Sequence, residues 1–351
     1  MYSVKNVGGV SGSMETVVQA GSASSPTYAV VSAGISGDAV YTGQIYDHEN
    51  NTTISFESSS DSSDESFDPF ISGVFNSTVK TPILTASLTG SSVGSIAVTY
   101  AGSGFSATPE IVIDFPTEGD DQAFAYCTLN GSGGIASVVL KDENNNTVST
   151  SGSGYDAAPS VTIVGGPHFV KLTESGDDDE GRVFLITAND STTLTLDTSR
   201  LANGETLQTV LEGNFSVDVV PAPTLASVFG QTSSDLDLNP ATSSWSIDGA
   251  DFVYLYNNGY VPYFFMPYYS SAWPAGWYSH TNYYAGLSND KVLYPDEGFI
   301  LAKRTSGTLT LDFDGGVSSS EQKVQLPAYD NAVVMNNPYG GDLLLAEIIP
   351  S

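Results

Sequence analysis

The chain is poor in positive charge. It has 10 lysines and arginines against 40 aspartates and glutamates among 351 residues, so its formal net charge is −30. A surface this negative repels the phosphates of nucleic acids and anionic membranes, which argues against both as partners. It favours cations and high solubility, and dissolved salt screens its self-repulsion. Saline water or a calcium-containing exterior would suit such a protein.

The chain also has a single cysteine and no long apolar run. Cys127 has no partner for an intrachain disulfide, and alternation along 123–129 predicts that it is a small buried residue on an apolar face. The sequence contains no run of about 18 apolar residues, so it predicts no transmembrane helix. The first nine residues lack the apolar core of a signal peptide. We nevertheless expect an extracellular or cell-surface protein, and we interpret its signal peptide as already removed.

Charged residues are scarce, at 14% of the chain, and no stretch has the pattern of a long amphipathic helix. Hydrophobic residues make up 40%, which is enough for sizeable cores. Runs rich in threonine, serine, asparagine and glycine between short apolar stretches are typical of strands and turns. The sequence predicts an all-β fold of several small antiparallel modules, each a β-sandwich or barrel-like.

An internal repeat lies within residues 85–165. A Gly-Ser-Gly-aromatic element at 102–105 recurs at 152–155, and each copy is followed by a proline, at Pro109 and Pro159, and an apolar strand. The glycines permit positive φ, and the proline begins an edge strand. This pattern resembles the Gly-Ser-Gly-Tyr/Phe β-repeats of phage structural proteins and of large bacterial extracellular proteins.

These patterns predict four modules. The first is an N-terminal β-module at 1–84, with 165–230 as a candidate continuation. The second is the inserted two-copy repeat at 85–165. A β-module with an acidic hairpin follows at 166–230, and an aromatic-rich β-domain occupies 241–351.

Several segments of the second half resemble an uncharacterised family of secreted all-β proteins from verrucomicrobial bacteria. The resemblance covers about 165–351 and extends weakly to 1–70. It implies an exported β architecture and no specific activity. The segments that carry it are 168–172, 180–184, 227–230, 256–263 and 295–301.

The sequence shows no arrangement typical of an enzyme. The three histidines, His48, His168 and His280, each stand alone, without a second histidine or cysteine at metal-ligand spacing. His168 is interpreted as a strand residue, and His280 as a surface or pocket residue of an aromatic loop. There is no Gly-x-Ser-x-Gly elbow and no P-loop. We expect a protein without catalytic activity, although paired carboxylates of the kind that glycosidases use are plentiful.

Calcium is the candidate ligand for the acidic turns, because hard cations take several oxygen ligands from clustered carboxylates and carbonyls. None of these turns has the spacing of an EF-hand, and each could instead be a solvated acidic turn. The serine- and aspartate-rich tract at 61–64 is a further candidate of the same kind. The candidate ligands are Asp177, Asp178, Asp179, Glu180, Asp120 and Asp121.

Aromatic residues crowd the segment 254–284, which is interrupted by Pro262, Pro267 and Pro274. Prolines at this spacing predict a structured loop or a broken hairpin. The rings could fill the domain's own core, form a subunit interface or stack on a glycan. The candidate interface or glycan residues are Trp273, Trp277, Tyr268, Tyr269, Tyr278 and Tyr283.

The predicted function is that of an extracellular structural protein, a subunit of a surface filament, fibre or coat that forms a homo-oligomer or homopolymer. Extended terminal segments can complete a neighbour's sheet by backbone hydrogen bonds, and Tyr2, Val4 and Val7 form the candidate donor strand. One alternative is a carbohydrate-binding adhesin that uses the aromatic loop 254–284. Another is a viral virion or tail-fibre component, as the repeat suggests.

Overall fold

A computed structural model describes residues 11–31, 39–57, 59–60, 66–116, 121–173, 179–202, 204–211, 215–233, 236, 238–256, 259–295 and 297–316. The serine- and aspartate-rich tract at 61–64 lies outside this range. The same holds for some of the predicted site residues, namely Tyr2, Val4, Val7, Asp120, Asp177 and Asp178.

The described residues form an almost entirely β structure, as the composition predicts. The first strands are β1 (Ser11–Val18), β2 (Thr27–Val31), β3 (Tyr41–Gln44), β4 (Asp47–Asn50), β5 (Thr53–Ser55), β6 (Ser59–Ser60), β7 (Ser66–Phe67), β8 (Ile83–Thr89), β9 (Ser92–Tyr100), β10 (Glu110–Ile113) and β11 (Phe124–Leu129). The remaining strands are β12 (Ile135–Lys141), β13 (Val161–Val164), β14 (His168–Leu172), β15 (Val183–Asn189), β16 (Thr193–Leu196), β17 (Ser216–Pro221), β18 (Phe252–Tyr256), β19 (Tyr260–Met266), β20 (Gly276–Ser279), β21 (Phe299–Lys303) and β22 (Leu309–Gly316).

Helical structure in the described part of the chain is limited to α1 (Leu207–Val210), α2 (Leu225–Phe229) and a 3₁₀ turn at Tyr283–Ala285. A capping box begins α2: the Ser227 backbone N–H donates to Thr224 Oγ1 at 3.2 Å, and the Thr224 N–H donates to Ser227 Oγ at 2.8 Å. Within the same described residues, no helix is long and apolar enough to cross a membrane.

The chain divides into two compact units. Unit 1 comprises 1–43, 169–184 and 199–351, and unit 2 comprises 44–168 and 185–198. The repeat segment 85–165 therefore falls inside a larger unit that also contains the strands before it.

A five-stranded antiparallel sheet with the order β2-β21-β18-β19-β20 is the centre of unit 1. Alternate residues of each strand lie on opposite faces. One face packs against α2 in a core that contains Trp277, Phe265 and Phe229, all fully buried. Each such side chain contributes about 1.5 to 3 kcal/mol through removal of its apolar surface from water. Unit 1 also contains the antiparallel pair β1–β22 and the ladder β3-β17-β14, apart from the terminal residues Gln44 and His168.

Unit 2 combines the antiparallel ladder β15-β16-β5-β4 with the sequence repeat. The two copies have the same local structure. Gly102 and Gly152 have φ of 65° and 66°, the third residue of each element is also a glycine of positive φ, and the aromatic residues that follow, Phe105 and Tyr155, are buried. The strands that come after the two prolines, β10 and β13, pair with each other, so the repeat is joined across one antiparallel ladder.

The predicted apolar face of β11 is confirmed. Ala123, Ala125 and Cys127 are buried in the core of the repeat, and Leu129 is half-buried. Burial raises the pKa of the Cys127 thiol, whose sulfur lies 3.5 Å from the Pro109 carbonyl oxygen. The cysteine is therefore a packing residue of this core.

Candidate functional site

Two histidines have well-defined surroundings, and they differ. His168 begins β14, as predicted, and is buried against Phe75 with ring centroids 4.5 Å apart. Burial lowers the pKa of His168 to about 4, so the ring is neutral at ordinary pH. His280 is half-buried in unit 1, stacked on Phe252 at 5.8 Å, with Nδ1 3.0 Å from the Tyr283 hydroxyl.

The described acidic candidates for calcium make protein contacts. Asp179 Oδ1 lies 2.9 Å from an N–H of Arg182, which also pairs with Glu205 at 2.5 Å. Asp121 Oδ2 accepts from the Ser153 hydroxyl at 3.0 Å, and Glu180 lies at a turn beside Asp179. In the part of the chain that the structure describes, no group of three or more His, Cys, Asp or Glu is arranged to hold a metal ion.

The aromatic segment forms a hairpin, β19–β20, whose connection at 267–275 contains Pro267 and Pro274. Pro262 lies inside β19, although prolines were expected to prevent long strands here. Its carbonyl accepts a hydrogen bond from the His280 N–H at 2.9 Å. In an antiparallel strand the N–H and the C=O of one residue face the same neighbour, so an N–H at position 262 would also face His280. Because β20 ends at Ser279, His280 lies beyond the strand, and the proline removes no hydrogen bond from the paired part of β19 and β20.

Buried aromatic residues lie on both faces of the hairpin, with Phe265 and Trp277 on the core face and Phe264 and Tyr278 on the other. Their polar atoms are satisfied internally. The Trp277 indole N–H donates to the Gly230 carbonyl at 2.8 Å, and the Tyr278 hydroxyl donates to the Pro274 carbonyl at 2.9 Å. Trp277 and Tyr278 were candidate interface or glycan residues, and burial corrects this: they fill the unit's own core.

A second set of rings lies outside these faces, and we call it the exposed aromatic cluster. Tyr268 and Tyr269 are exposed on the connection 267–275, next to the half-buried Trp273, and Tyr284 is 87% exposed on the 3₁₀ turn beside the half-buried Tyr283. The cluster touches the buried face of the hairpin, because Tyr283 lies 5.6 Å from Phe264 and Trp273 lies 5.9 Å from Tyr278. The members of the cluster are Trp245, Tyr268, Tyr269, Trp273, Tyr283 and Tyr284.

Trp245 is at the centre of the cluster. Its ring centroid lies 4.6 Å from that of Trp273, 5.6 Å from Tyr269 and 6.2 Å from Tyr283, and Trp273 in turn lies 6.2 Å from Tyr284. Trp245 is 42% exposed, and its backbone has φ of 63°. This left-handed conformation is unusual for any residue with a bulky side chain.

Hydrogen bonds close the base of the loop that carries Trp245. Asn239 and Asp251 are joined by their backbones, with the Asp251 N–H donating at 3.0 Å, and Asn239 Nδ2 donates to Asp251 Oδ2 at 3.0 Å. The Asp251 carboxylate also accepts from Lys303 Nζ at 2.8 Å. The Arg304 guanidinium donates to the carbonyls of Ile247 and Ala250 at 3.2 and 3.1 Å.

Three backbone hydrogen bonds form a tight turn in the second loop. The N–H groups of Tyr269 and Ser270 both donate to the Trp273 carbonyl at 3.1 Å, and the Trp273 N–H donates to the Ser270 carbonyl at 2.9 Å. The Ser244 hydroxyl donates to the Tyr268 carbonyl at 3.4 Å, which links the two loops. The rings are therefore held on a preorganised scaffold.

The cluster lies in a part of the chain without positive charge. Residues 241–290 contain no lysine or arginine, and their acidic residues are Asp248, Asp251 and Asp290. Asp251 is buried beside Lys303 and Asp290 is nearly buried, which leaves Asp248 as the exposed acid of this segment. Such a surface offers aromatic faces, hydroxyls and indole N–H groups, and the segment itself supplies no lysine or arginine to an anionic ligand.

Sequence reasoning found four members of the cluster, Tyr268, Tyr269, Trp273 and Tyr283, and missed Trp245 and Tyr284. Trp245 precedes the aromatic segment by nine residues and stands alone among serines in Ser243-Ser244-Trp245-Ser246. A tryptophan isolated in a polar stretch could have indicated an exposed ring, because its immediate neighbours in sequence are serines and offer it no apolar side chain to pack against.

Searches of protein-family models, of curated proteins and of solved structures found no match to this chain. The resemblance to the verrucomicrobial family therefore stays a prediction.

Proposed function

We propose that this protein is an extracellular carbohydrate-binding protein that acts by attachment without catalysis, and that the exposed aromatic cluster is its binding site. The observation that carries the proposal is the conformation of Trp245. A left-handed backbone costs a residue other than glycine about 1 to 3 kcal/mol. Contacts with Trp273 and Tyr269 offset part of this cost, because their ring centroids lie 4.6 and 5.6 Å from that of Trp245. The residue nevertheless stays 42% exposed, which leaves the ring accessible to a ligand. A ligand that stacks on the ring would add to these contacts and would explain why a bulky aromatic residue occupies this position.

The chemistry of the cluster favours a sugar. Flat rings of tryptophan and tyrosine pack on the C–H faces of a pyranose, while their N–H and O–H edges bond to its hydroxyls. Serines 243–244 directly precede Trp245, serines 270–271 lie between Tyr269 and Trp273 in sequence, and both pairs add further hydroxyls. Rigid aromatic side chains also lose little entropy on binding, and the hydrogen-bonded loops reduce the loss further.

An array of soluble glycans, probed with fluorescently labelled protein, tests the proposal. We expect binding by the unmodified protein and loss of binding in Tyr284→Ala. Tyr284 is the most exposed ring, so its removal disturbs the fold least. Tyr46→Ala is the matched control, because Tyr46 is 66% exposed and belongs to unit 2. Absence of any glycan signal, or equal signals from Tyr284→Ala and the control, would refute the proposal.

A second candidate function is the structural subunit of a surface fibre or coat, and it is favoured by apolar side chains on the outer face of the repeat. Val112, Phe124 and Tyr126 alternate with buried residues of β10 and β11 and point away from the core, and Phe115 just beyond β10 is 73% exposed. Exposed apolar side chains on neighbouring strands are typical of a surface that another molecule covers. A second copy of the chain is the occupant that this candidate requires.

Sedimentation velocity at low and high salt tests this second function. Each copy carries a net charge of −30, so copies repel one another. We therefore expect association to increase as salt screens this repulsion. The double variant Phe124→Ser, Tyr126→Ser should remain monomeric, whereas Tyr284→Ala should associate normally. A monomer at every salt and calcium concentration would exclude the structural role and leave the glycan proposal standing.

A further inference from the structure

We infer that the exposed aromatic cluster takes a short, uncharged and soluble stretch of glycan, such as a chain end, and that it does not bind the flat surface of a crystalline polysaccharide. This inference rests on the proposed function and narrows its ligand class. It depends on the mutual angles of the rings, on their spacing and on the charge around them.

The rings do not form a plane. The ring of Trp245 is inclined by 69° to Trp273, by 79° to Tyr269 and by 53° to Tyr283, and Trp273 is inclined by 77° to Tyr284. A flat crystalline face can stack on several rings only when those rings are nearly coplanar. Steeply inclined rings instead present faces and edges to a small object from different sides.

The spacing of the rings limits the length of the ligand. Neighbouring centroids in the cluster are 4.6 to 6.2 Å apart. Rings this close are in contact with one another, so the cluster presents one compact aromatic surface that a few consecutive sugars cover. A few residues of a glycan therefore contact all of the described rings of the cluster, and a longer polymer gains no further ring contact there.

Charge disfavours acidic glycans at the same site. A carboxylate or sulfate would lose hydration in the cluster, and residues 241–290 contain no lysine or arginine to compensate it. The Arg304 guanidinium, which contacts the loop that carries Trp245, lies over the Phe252 ring and donates to the carbonyls of Ile247 and Ala250. The net charge of −30 adds a long-range repulsion against polyanions. Uncharged sugars avoid both costs.

The test compares soluble and crystalline forms of the same polymer. Cellohexaose and crystalline cellulose form one pair, chitohexaose and crystalline chitin a second, and laminarihexaose and insoluble β-1,3-glucan a third, with alginate oligosaccharides as the anionic probe. Binding to the soluble sugars is measured by titration calorimetry and by NMR, and binding to the solids by depletion of protein from solution. Tyr284→Ala and the control Tyr46→Ala accompany every measurement.

We expect at least one neutral hexasaccharide to bind, with affinity reduced roughly tenfold or more in Tyr284→Ala and unchanged in Tyr46→Ala. We expect weaker or no binding to the crystalline partner and to alginate. Tyr284-dependent binding to a crystalline face, or to alginate as strongly as to neutral sugars, would overturn this inference while the proposed function stands. If no probe binds and the glycan array is also blank, both are refuted.

Discussion

Lys303 and Asp251 form a buried ion pair, with Nζ 2.8 Å from Oδ2 and both side chains almost inaccessible to water. The same carboxylate closes the loop that carries Trp245, through Asn239 and the Arg304 N–H. Burial alone raises the pKa of Asp251, but hydrogen bonds from Lys303 and Asn239 outweigh it and hold the pKa below its ordinary value. The pair therefore couples the stability of β21 to the position of the exposed aromatic cluster.

We expect Lys303→Met to destabilise unit 1 by about 3 to 5 kcal/mol, because it leaves the Asp251 carboxylate buried without its cation. The double variant Lys303→Met, Asp251→Asn should recover part of this loss. Urea denaturation followed by tryptophan fluorescence measures both, since the three tryptophans all belong to unit 1. Additive losses in the double variant would show that the two side chains do not act as a pair.

His168 gives unit 2 a pH-dependent stability. Its pKa falls from 6.5 to about 4 on folding, chiefly through burial. Between these values the unfolded chain binds a proton that the folded chain does not. The stabilisation is therefore complete above about pH 6.5 and decreases as the pH falls towards 4, by about 3 kcal/mol in total.

The variant His168→Phe should remove this contribution, because phenylalanine keeps an aromatic ring beside Phe75 and does not titrate. The measurement is the difference in free energy of unfolding between the two proteins from pH 7.5 to 4. Taking the difference cancels the effect of the carboxylates that both proteins share. A difference that does not change with pH would mean that His168 is not buried in its neutral form.

Residue patterns were sufficient to predict most of the fold. The apolar alternation at 123–129 corresponds to β11, where Ala125 and Cys127 are buried while Phe124 and Tyr126 are exposed. Strand burial on one face produces this alternation, so it is visible in sequence. The capped helix α2 was not predicted, because five residues between two β segments are too few to show a helical period.

The division of the aromatic segment into core and surface could not be predicted. All four residues of β20 are buried, because one face of the strand meets the core and the other meets the exposed aromatic cluster. A strand buried on both faces has no alternation to separate Trp277 from Trp273. The role of Trp245 depends on its backbone angle and on loop closure by Asp251, and both arise from tertiary structure.

Because Gly152 has a positive φ, we predict that a side chain at this position destabilises the repeat. A Cβ at this position would lie 2.6 Å from the Ala123 backbone nitrogen and 2.7 Å from the Asp121 carbonyl oxygen, and φ is 66°. We expect Gly152→Ala to destabilise unit 2 by more than about 2 kcal/mol. Gly131→Ala is the control, because a Cβ there meets nothing within 4 Å, and it should change stability by less than about 0.5 kcal/mol.

Cys127 provides the measurement for this pair of variants. The thiol is buried in the repeat, and its raised pKa disfavours the reactive thiolate. Labelling with a thiol reagent in increasing urea therefore reports the opening of this core. Gly152→Ala should label at a lower urea concentration than Gly131→Ala. Identical labelling curves would contradict the left-handed turn at Gly152.

Because the backbone of Trp245 is strained, we predict that Trp245→Gly is more stable than Trp245→Ala, while both variants lose glycan binding. Both Trp245→Gly and Trp245→Ala lose the ring contacts with Trp273, Tyr269 and Tyr283. Only glycine adopts φ of 63° without a steric penalty, so Trp245→Gly should be more stable than Trp245→Ala by about 1 kcal/mol. This order is the reverse of the usual one, in which glycine destabilises through the entropy of the unfolded chain. Urea denaturation followed by the remaining tryptophans measures stability, and the glycan array measures binding. If alanine is the more stable variant, the loop does not hold the left-handed conformation. If Trp245→Gly binds glycans as the unmodified protein does, Trp245 is not retained for binding, and the assignment of the site to this cluster fails.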